Sequence, residues 1–418
     1  MGEPVKAPPV GIREDEDAAR WRDALRRVAS GGWAVSVGAQ VLAILAGSVL
    51  IAFTDETVRE TAGYFFSRPM DTINAITDAV WSAYLALFRG AIWDFRQDTF
   101  AASIAPLMWT LDRATPLIAA GLGIALSFRA GLFNIGGQGQ MLAAAVTAGA
   151  VALFVPMPFP LHMIVAVIAG LIGGAIWSAI AGALKAYTGA HEVISTIMLN
   201  WIAYYAVSYL VSTPGLLQAP GSFQPKTAAT PVSAQMPSLL GGNYRVHFGF
   251  ILSLLAVALM WWILNRSRIG LHYRAVGLNP VAANAAGIDV KRTTVSVMAV
   301  AGAFVGLAGA QQVLGSVTSG FAADVHSGIG FDALTVALLG RSQPVGVLFA
   351  GILFGAFKAG GATMQTAESI PIEIVLVIQS LIVLFIAAPP LVRAIFRLPQ
   401  PDGKPARRRR RATKEVAA

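Results

Sequence analysis

The sequence predicts an all-α, polytopic membrane protein with about ten crossings, of which one or more are short or broken. The 418-residue chain is 56% hydrophobic, only 13% of its residues are charged, and its mean hydropathy is +0.64. Apolar runs of bilayer-spanning length recur along the chain and are separated by shorter polar segments. This combination excludes a soluble globular protein.

Charge along the chain predicts its orientation. The net charge of +9 would suit a nucleic-acid binder, but the basic residues lie between and after apolar runs, as a cytoplasmic positive bias places them. We therefore expect no nucleic-acid partner. Residues 1–30 mix acids and bases and are predicted to be a cytoplasmic N-terminal segment. The loop 266–292 and the basic tail 391–418 are predicted to be cytoplasmic, the tail being either solvated or in contact with anionic membrane lipid.

Long apolar runs give the predicted spans. A first transmembrane helix is expected at 31–53, and a transmembrane domain at 104–390 contains the remaining spans. These are 104–128, 138–156, 161–184, 192–213, 246–265, 293–314, 343–361 and 371–388, with a short half-span at 331–340. Small residues repeat at four-residue spacing in the pairs Gly170/Gly174, Gly302/Gly306 and Gly351/Gly355. Such pairs indicate close helix contacts, either static or moving.

Two segments between spans are unusually long. Residues 54–103 are too charged for a span, yet they carry Trp81, Tyr84, Leu85, Leu87, Phe88 and Trp93. This pattern predicts an external amphipathic insert at the outer membrane surface, with a solvated insertion as the alternative. The proline-rich loop 214–245 is predicted to serve in docking on the outer side or to be a disordered connector.

Residues 128–141 interrupt two predicted helices with glycines and with the amides Asn134, Gln138 and Gln140. In lipid, non-helical backbone is tolerated only where it is buried in protein or lines a wet cavity. A simple turn is the alternative. The sequence predicts a substrate path for a neutral polar solute with flat or hydroxylated parts. Its residues are Phe133, Asn134, Gln138, Gln140, Asn200 and Trp201.

A second interrupted segment resembles the first one. The run 117–128 is followed by Arg129 and glycines, and the run 331–340 is followed by Arg341, a proline and a glycine. Two interrupted segments in the two halves of a chain indicate a transporter's binding region, although coincidence is the alternative.

The sequence carries no signature of covalent chemistry. It lacks cysteine and a Gly-x4-Gly-Lys-Ser/Thr loop, and its histidines do not follow a metal-binding spacing. His191-Glu192 is interpreted as a helix cap. The ionisable residues recognised within spans are Asp112, Arg113, Lys358 and Glu373. Lys358 and Glu373 lie near predicted helix ends, where snorkelling explains them, and the scarcity of buried acids argues against a proton-coupled carrier.

Four ordered stretches carry a family resemblance. They are 131–141 (GLFNIGGQGQM), 191–200 (HEVISTIMLN), 274–288 (RAVGLNPVAANAAGI) and 328–340 (GIGFDALTVALLG). Together they resemble the permease subunits of bacterial ABC importers for simple sugars, nucleosides and branched-chain amino acids. The resemblance runs from about 104 to 390, and the nucleoside branch is the most similar. The insert at 54–103 and the basic tail depart from the family pattern.

The resemblance implies a multi-pass subunit of the bacterial inner (plasma) membrane with both termini in the cytoplasm. It implies a transport subunit rather than an enzyme, with no cofactor of its own, because separate cytoplasmic ABC ATPase subunits bind and hydrolyse ATP. A second permease subunit, in a heterodimer, and an external substrate-binding lipoprotein are further expected partners. The expected substrate is a nucleoside; a simple-sugar permease and an ion-coupled secondary carrier are the alternatives.

The resemblance also assigns 274–288 to coupling with the ATPase. The expected coupling residues are Arg274, Gly277, Asn279, Ala283 and Gly287. The alanines would form a slim helix that packs closely, and Gly277 and Gly287 would be its flexible ends.

Overall fold

The computed structural model describes residues 32–241 and 244–396. Within these ranges the chain is helical, and the only strand-like pairing is an isolated bridge between Ser238 and His247. The predicted segment 1–30 and residues 397–418 of the predicted tail lie outside the described residues, so their cytoplasmic placement stays a prediction. The polytopic helical class is confirmed.

The helices follow one another along the chain, and the long loop 213–248 separates α7 from α8. The first seven are α1 (Gly32–Thr54), α2 (Glu56–Ala62), α3 (Pro69–Ala91), α4 (Phe100–Arg129), α5 (Gly137–Phe154), α6 (Leu161–Ala183) and α7 (Glu192–Ser212). The next are α8 (Gly249–Arg266), α9 (Arg268–Leu278), α10 (Pro280–Ala285), α11 (Val290–Gln311), α12 (Ile329–Leu339), α13 (Pro344–Glu368), α14 (Ile372–Ala387) and α15 (Pro389–Ile395). Helices α6 and α11 continue as π turns at Leu184–Thr188 and Gln312–Ser316, and Ala323–His326 is a 3₁₀ turn.

Every predicted span coincides with one of these helices. In the described ranges, seven helices are long and apolar enough to cross a bilayer alone, namely α4, α5, α6, α7, α8, α11 and α13. The apolar part of α1 meets the same criterion together with α2, from which it is bent by 72°. Helix α12 has 11 residues and α14 has 16, both short for a span. The count of ten crossings stays a prediction.

The chain divides into two compact units. One comprises, among the described residues, 32–50 and 376–396. In its described part, Gly38 of α1 lies against Val392 and Phe396, where a Cβ atom at Gly38 would come within 3.0 Å of the valine side chain. The other unit comprises residues 51–375 and contains every candidate site residue.

Glycine contacts join the helices of the larger unit. A Cβ atom at Gly306 of α11 would lie 2.5 Å from the carbonyl oxygen of Gly170 on α6, and one at Gly302 would clash with the backbone of Gly174. The two predicted small-residue pairs therefore face each other in one crossing. Without side chains, the two backbones approach closely where lipid provides no hydrophobic drive for association.

Helix α4 is the central helix of this unit. It packs against α13, α11, α12 and α8, and most of its length is buried. The third predicted glycine pair contributes here, because a Cβ atom at Gly355 would lie 2.6 Å from the carbonyl oxygen of Thr110. Helix α4 ends at Arg129, and the interrupted segment begins directly after it.

The insert 54–103 is helical and belongs to the larger unit. Helix α3 packs on α13 through small residues, among them Ala83, Ala86 and Gly90, which are buried. The predicted aromatic face is not the packing face, because Trp81 and Phe88 are exposed. Small side chains are selected there because the two backbones come close.

Candidate functional site

Asn134 lies at the centre of the break between α4 and α5. Its Oδ1 accepts hydrogen bonds from the backbone N–H of Gly136 at 2.9 Å and from Nε2 of Gln140 at 3.0 Å. Its Nδ2 donates to Oγ of Ser127 at 3.4 Å. Both amide side chains are buried, and within the described ranges Oε1 of Gln140 has no partner. Asn134 therefore ties the end of α4 to the first turn of α5.

Asn200 of α7 closes the same break from the other side. Its Oδ1 accepts from the backbone N–H of Gly139 at 2.8 Å, and its Nδ2 donates to the carbonyl oxygen of Ile135 at 2.9 Å. The N–H of Ile135 donates to Oγ1 of Thr196 at 3.4 Å. The break is thus a buried segment whose polar backbone is satisfied by side chains, as a membrane-embedded break requires, and it is not a simple turn.

Gln138 is directed away from this interior network and meets His326. The side-chain nitrogen atoms Nε2 of Gln138 and Nε2 of His326 lie 2.9 Å apart. Because Nδ1 of His326 accepts the backbone N–H of Gly328 at 3.1 Å, the proton of a neutral ring lies on Nε2. The imidazole therefore donates to the side-chain oxygen of Gln138, which a 180° rotation of the amide group brings to the position facing His326. His326 joins the candidate site, although its isolated position in the sequence gave no signal for it.

Aromatic side chains continue the site along α7. Trp201 stacks on Tyr205 with ring centroids 6.1 Å apart, and Tyr204 makes an edge contact with His326 at 6.4 Å. Trp201 is 56% and Tyr205 65% exposed, and within the described part of the chain the hydroxyls of Tyr204 and Tyr205 have no hydrogen-bond partner. These residues lie halfway along α7.

Phe133 stands apart from the other path residues. Its ring stacks on Phe128 with centroids 5.0 Å apart, and 43% of its surface is exposed. Its backbone N–H donates to Oε1 of Glu192 at 3.5 Å. Of the six predicted path residues, Gln138 and Trp201 join the His326 cluster, and Asn134, Gln140 and Asn200 form the interior network.

The two interrupted segments noted in the sequence meet in space. A Cβ atom at Gly137 would lie 2.9 Å from the carbonyl oxygen of Gly330, and one at Gly330 would clash with the backbone of Gln138. Arg129 donates from Nε to the carbonyl oxygen of Ser342 at 3.0 Å. The N-termini of α5 and α12 therefore converge beside the Gln138–His326 pair, in the arrangement by which broken helices build a membrane binding site.

The segment 266–292 forms two helices joined at Asn279. Oδ1 of Asn279 accepts from the backbone N–H groups of Val281 at 3.0 Å and Ala282 at 3.1 Å, so Asn279 is the N-cap of α10. Gly287 ends the segment with φ of +84°. Ala283 is the buried residue of α10. Nε of Arg274 donates to the carbonyl oxygen of Gly270 on its own helix at 3.3 Å.

Gly277, predicted to be a flexible helix end, is closely packed against the chain after α4. It lies in the last turn of α9, where a Cβ atom would come within 2.5 Å of the carbonyl oxygen of Arg129. Glycine is needed there because α9 touches the backbone after α4. Tyr273 anchors the same helix: burial raises the pKa of its phenol, and its hydroxyl lies 2.7 Å from Oγ of Ser296 on α11.

The exposed surface of this segment is apolar, and no other described residue covers it. Leu278 is 87% and Val281 79% exposed. Beside them a cleft of about 1060 Å³ reaches from α10 to the backbone at 130–132, with Lys185 and Lys291 in its wall. A large exposed apolar tip next to a cleft is typical of a protein-docking surface.

Residues 107–387 match the family described as "Branched-chain amino acid transport system / permease component". The chain belongs to this family. It is 37% identical over 290 residues to the guanosine ABC transporter permease protein NupP of Bacillus subtilis (strain 168), which covers 68% of this chain and 82% of NupP. It is 35% identical over 312 residues to the nucleoside ABC transporter permease protein NupB of Lactococcus lactis subsp. cremoris (strain MG1363), 72% of this chain and 85% of NupB. The glucose ABC transporter permease protein TsgB13 of Haloferax volcanii is 34% identical over 289 residues, 66% of this chain and 74% of TsgB13.

Two charged side chains within the spans of this permease have partners that the sequence did not indicate. Lys358 does not snorkel from a helix end, because α13 extends to Glu368, and its Nζ lies 2.7 Å from Oδ2 of Asp332 on α12. Asp112 is buried with His247, whose Nε2 lies 3.4 Å from its Oδ1, and Ser316 donates to the same oxygen at 3.0 Å. Among the described residues the buried acids are Asp112 and Glu192, so buried acids are few, as the sequence predicts.

Glu192 acts differently from the predicted cap. His191 makes no side-chain capping bond, and the buried carboxylate of Glu192 pairs with Nζ of Lys185 in the π turn after α6. With its contact to the N–H of Phe133, Glu192 connects α6, α7 and the first interrupted segment of the permease.

Proposed function

We propose that this permease is the transmembrane subunit of an ATP-driven ABC importer of the bacterial inner membrane and that its substrate is a nucleoside. The observation that carries the proposal is the convergence of the N-termini of α5 and α12 beside the Gln138–His326 pair and the aromatic residues of α7. The subunit provides the path and the mechanical coupling and performs no covalent chemistry.

The exposed side of α7 forms one wall of the path. A phenol hydroxyl without a partner is costly in hydrocarbon, so Tyr204 and Tyr205 at mid-span favour a wet or protein-covered face over a lipid-facing one. Trp201 and Tyr205 offer flat surfaces on which a base stacks, and Gln138 and His326 offer neutral hydrogen-bonding groups for base edges or ribose hydroxyls. Asn134, Gln140 and Asn200 support this wall from behind.

The names of similar proteins agree with this chemistry. NupP is named for guanosine and NupB for nucleosides, whereas TsgB13 is named for glucose. A simple sugar is therefore the second candidate substrate. Sugars also stack on aromatic rings, so the aromatic side chains support both candidates.

Separate subunits complete the importer. Cytoplasmic ABC ATPase subunits bind ATP. Leu278 and Val281, at the apolar tip where α9 meets α10, insert into a cleft of these subunits. A second permease, in a heterodimer, covers the exposed side of α7, and an external substrate-binding lipoprotein delivers the solute to the outer loop 214–245. Both termini lie in the cytoplasm.

Movement of α10 reaches the path through direct contacts. Gly277 of α9 touches the backbone of Arg129, and Arg129 bonds to Ser342 after α12. Closure of the ATPase subunits would therefore displace both helix breaks together, because the contact at Gly277 has no flexible side chain to absorb the motion.

Uptake of radiolabelled guanosine by cells that carry the complete transport system tests the proposal. We expect Trp201→Ala and Gln138→Ala to raise the KM strongly and Trp201→Phe to retain most activity. Glucose uptake with no guanosine uptake would replace the nucleoside by the sugar. Uptake that persists after the ATPase subunits are deleted, and that a protonophore abolishes, would overturn the ABC assignment in favour of an ion-coupled carrier.

A further inference from the structure

Helix α3 lies outside the family-matched region and presents three faces of different chemistry. One face is buried and built of small residues, namely Ala79, Ala83, Ala86 and Gly90. A second face is apolar and exposed and contains Met70, Ile73, Trp81 and Phe88. A third face is polar and contains Asp71, Asn74 and Asp78. At 100° per residue, these sets occupy separate stripes of one helix.

The buried face holds α3 directly against two spanning helices. A Cβ atom at Gly90 would clash with the side chain of Thr363 on α13, and one at Gly360 would clash with the carbonyl oxygen of Leu87. At the end of α3, Oγ1 of Thr110 on α4 donates to the carbonyl oxygen of Ala91 at 2.6 Å. The helix is therefore a fixed part of the transmembrane unit and not a separate solvated insertion.

The contact with α13 gives the depth of α3. Gly360 and Thr363 precede the end of α13 at Glu368, and a rise of 1.5 Å per residue puts the contact ~8–12 Å from that end. Because α13 is ~38 Å long and a hydrocarbon core is ~30 Å thick, this contact lies ~4–8 Å inside the boundary between headgroups and acyl chains. Trp81 on the exposed apolar face of α3 is 71% accessible, and tryptophan is enriched at this boundary.

We propose that the exposed apolar face of α3 binds the lipid of the outer leaflet. One side of the helix packs on protein, one faces acyl chains and one faces water, which is the pattern of a helix at a membrane surface. Its charged residues are Asp71, Asp78 and Arg89, so binding rests on apolar burial and not on attraction to anionic headgroups. The lipid-bound helix steadies the outer end of α13, whose Lys358 pairs with Asp332.

Single-cysteine spin labels test this inference, because the chain contains no native cysteine. Ile73→Cys and Trp81→Cys report on the apolar face, and Asn74→Cys and Asp78→Cys are matched controls on the polar face of the same helix. Each full-length variant is labelled, assembled with its partner subunits and reconstituted in phosphatidylethanolamine/phosphatidylglycerol vesicles. Collision rates with oxygen and with a water-soluble nickel chelate are then measured.

Labels at 73 and 81 should collide often with oxygen and rarely with the nickel chelate, and labels at 74 and 78 should show the reverse. The same contrast is expected in pure phosphatidylcholine vesicles. Equal exposure of all four labels to nickel would overturn the inference in favour of a solvated helix. Labels at 73 and 81 that are immobile and shielded from both reagents would overturn it in favour of a protein partner. A contrast that vanishes in phosphatidylcholine would show electrostatic attachment instead.

Discussion

The six predicted path residues differ most clearly when each side chain is followed to its partners. Asn200 bonds to the backbone of the break between α4 and α5, and Asn134 bonds to the N–H of Gly136 and to the side chains of Ser127 and Gln140. Gln138, in the same short stretch, reaches His326 instead. Chemically equal amides thus have unequal roles, because a buried backbone group must be satisfied wherever the helix is interrupted.

Asn200→Ala should destabilise the permease. The substitution leaves the N–H of Gly139 and the carbonyl oxygen of Ile135 without partners in a buried place, a loss of about 1–3 kcal/mol for each unsatisfied group. Thermal unfolding of the purified protein in detergent should show a Tm several degrees lower. The neighbouring, exposed Trp201→Phe is the control and should unfold near the native temperature. A native Tm for Asn200→Ala would show that water or lipid satisfies the break.

Gly277→Ala should impair coupling. The added methyl group meets the carbonyl oxygen of Arg129 at 2.5 Å and the backbone of Ala130 close by, so α9 must move away from the break. Substrate-stimulated ATPase activity of the reconstituted complex should fall several-fold while basal hydrolysis persists. Gly189→Asn is a matched control outside the coupling segment, because asparagine tolerates its left-handed backbone and the site is open. Normal stimulation in Gly277→Ala would disprove transmission through this contact.

At the scale of elements, the short helix α12 is held by charge as well as by packing. Asp332 of α12 pairs with Lys358 of α13, and the side chains are 23% and 24% exposed, so water screens the pair only in part. A single neutralisation leaves one charge without a partner, which costs more than removing both.

Asp332→Asn should therefore harm the permease more than Asp332→Asn combined with Lys358→Met. Uptake rate and apparent Tm of the two variants give the comparison, with Lys358→Met alone completing the cycle. A loss in the double variant equal to the sum of the two single losses would mean that the two charges act independently and that packing alone holds α12.

At the scale of the whole molecule, the predicted orientation rests on the positive charge of the loop 266–292. Two side chains in the larger unit are predicted to lie on opposite sides of the membrane. Phe223, in the loop after α7, is fully exposed, and Leu278 lies at the tip of the coupling segment. Since the chain contains no cysteine, each introduced cysteine is unique in the subunit.

Phe223→Cys should react with a membrane-impermeant maleimide in intact spheroplasts. Leu278→Cys should react only after permeabilisation, and more slowly when the ATPase subunits are present, because they cover α10. The reversed pattern would place the loop 266–292 outside and would invalidate the assignment of both termini to the cytoplasm.

The sequence by itself determined the helical membrane class, the span positions and the family. Long apolar runs, basic loops and ordered motifs are local properties of the sequence. The helices lie where the apolar runs predict them, with small shifts of the helix ends. The short helix at 331–340 was also predictable, because its apolar run is too brief to cross a bilayer.

Only the tertiary structure decided what the polar residues do. His326 contacts Gln138, Lys358 pairs with Asp332, and Gly277 contacts the backbone of Arg129. Some of these partners are far apart in the chain, so no local sequence pattern predicts the contacts. The same holds for α3, whose alanines and not its aromatic residues pack on α13. In a membrane protein, the partner of a polar group is set by which helices cross, and crossings depend on backbone contacts that the apolar pattern does not specify.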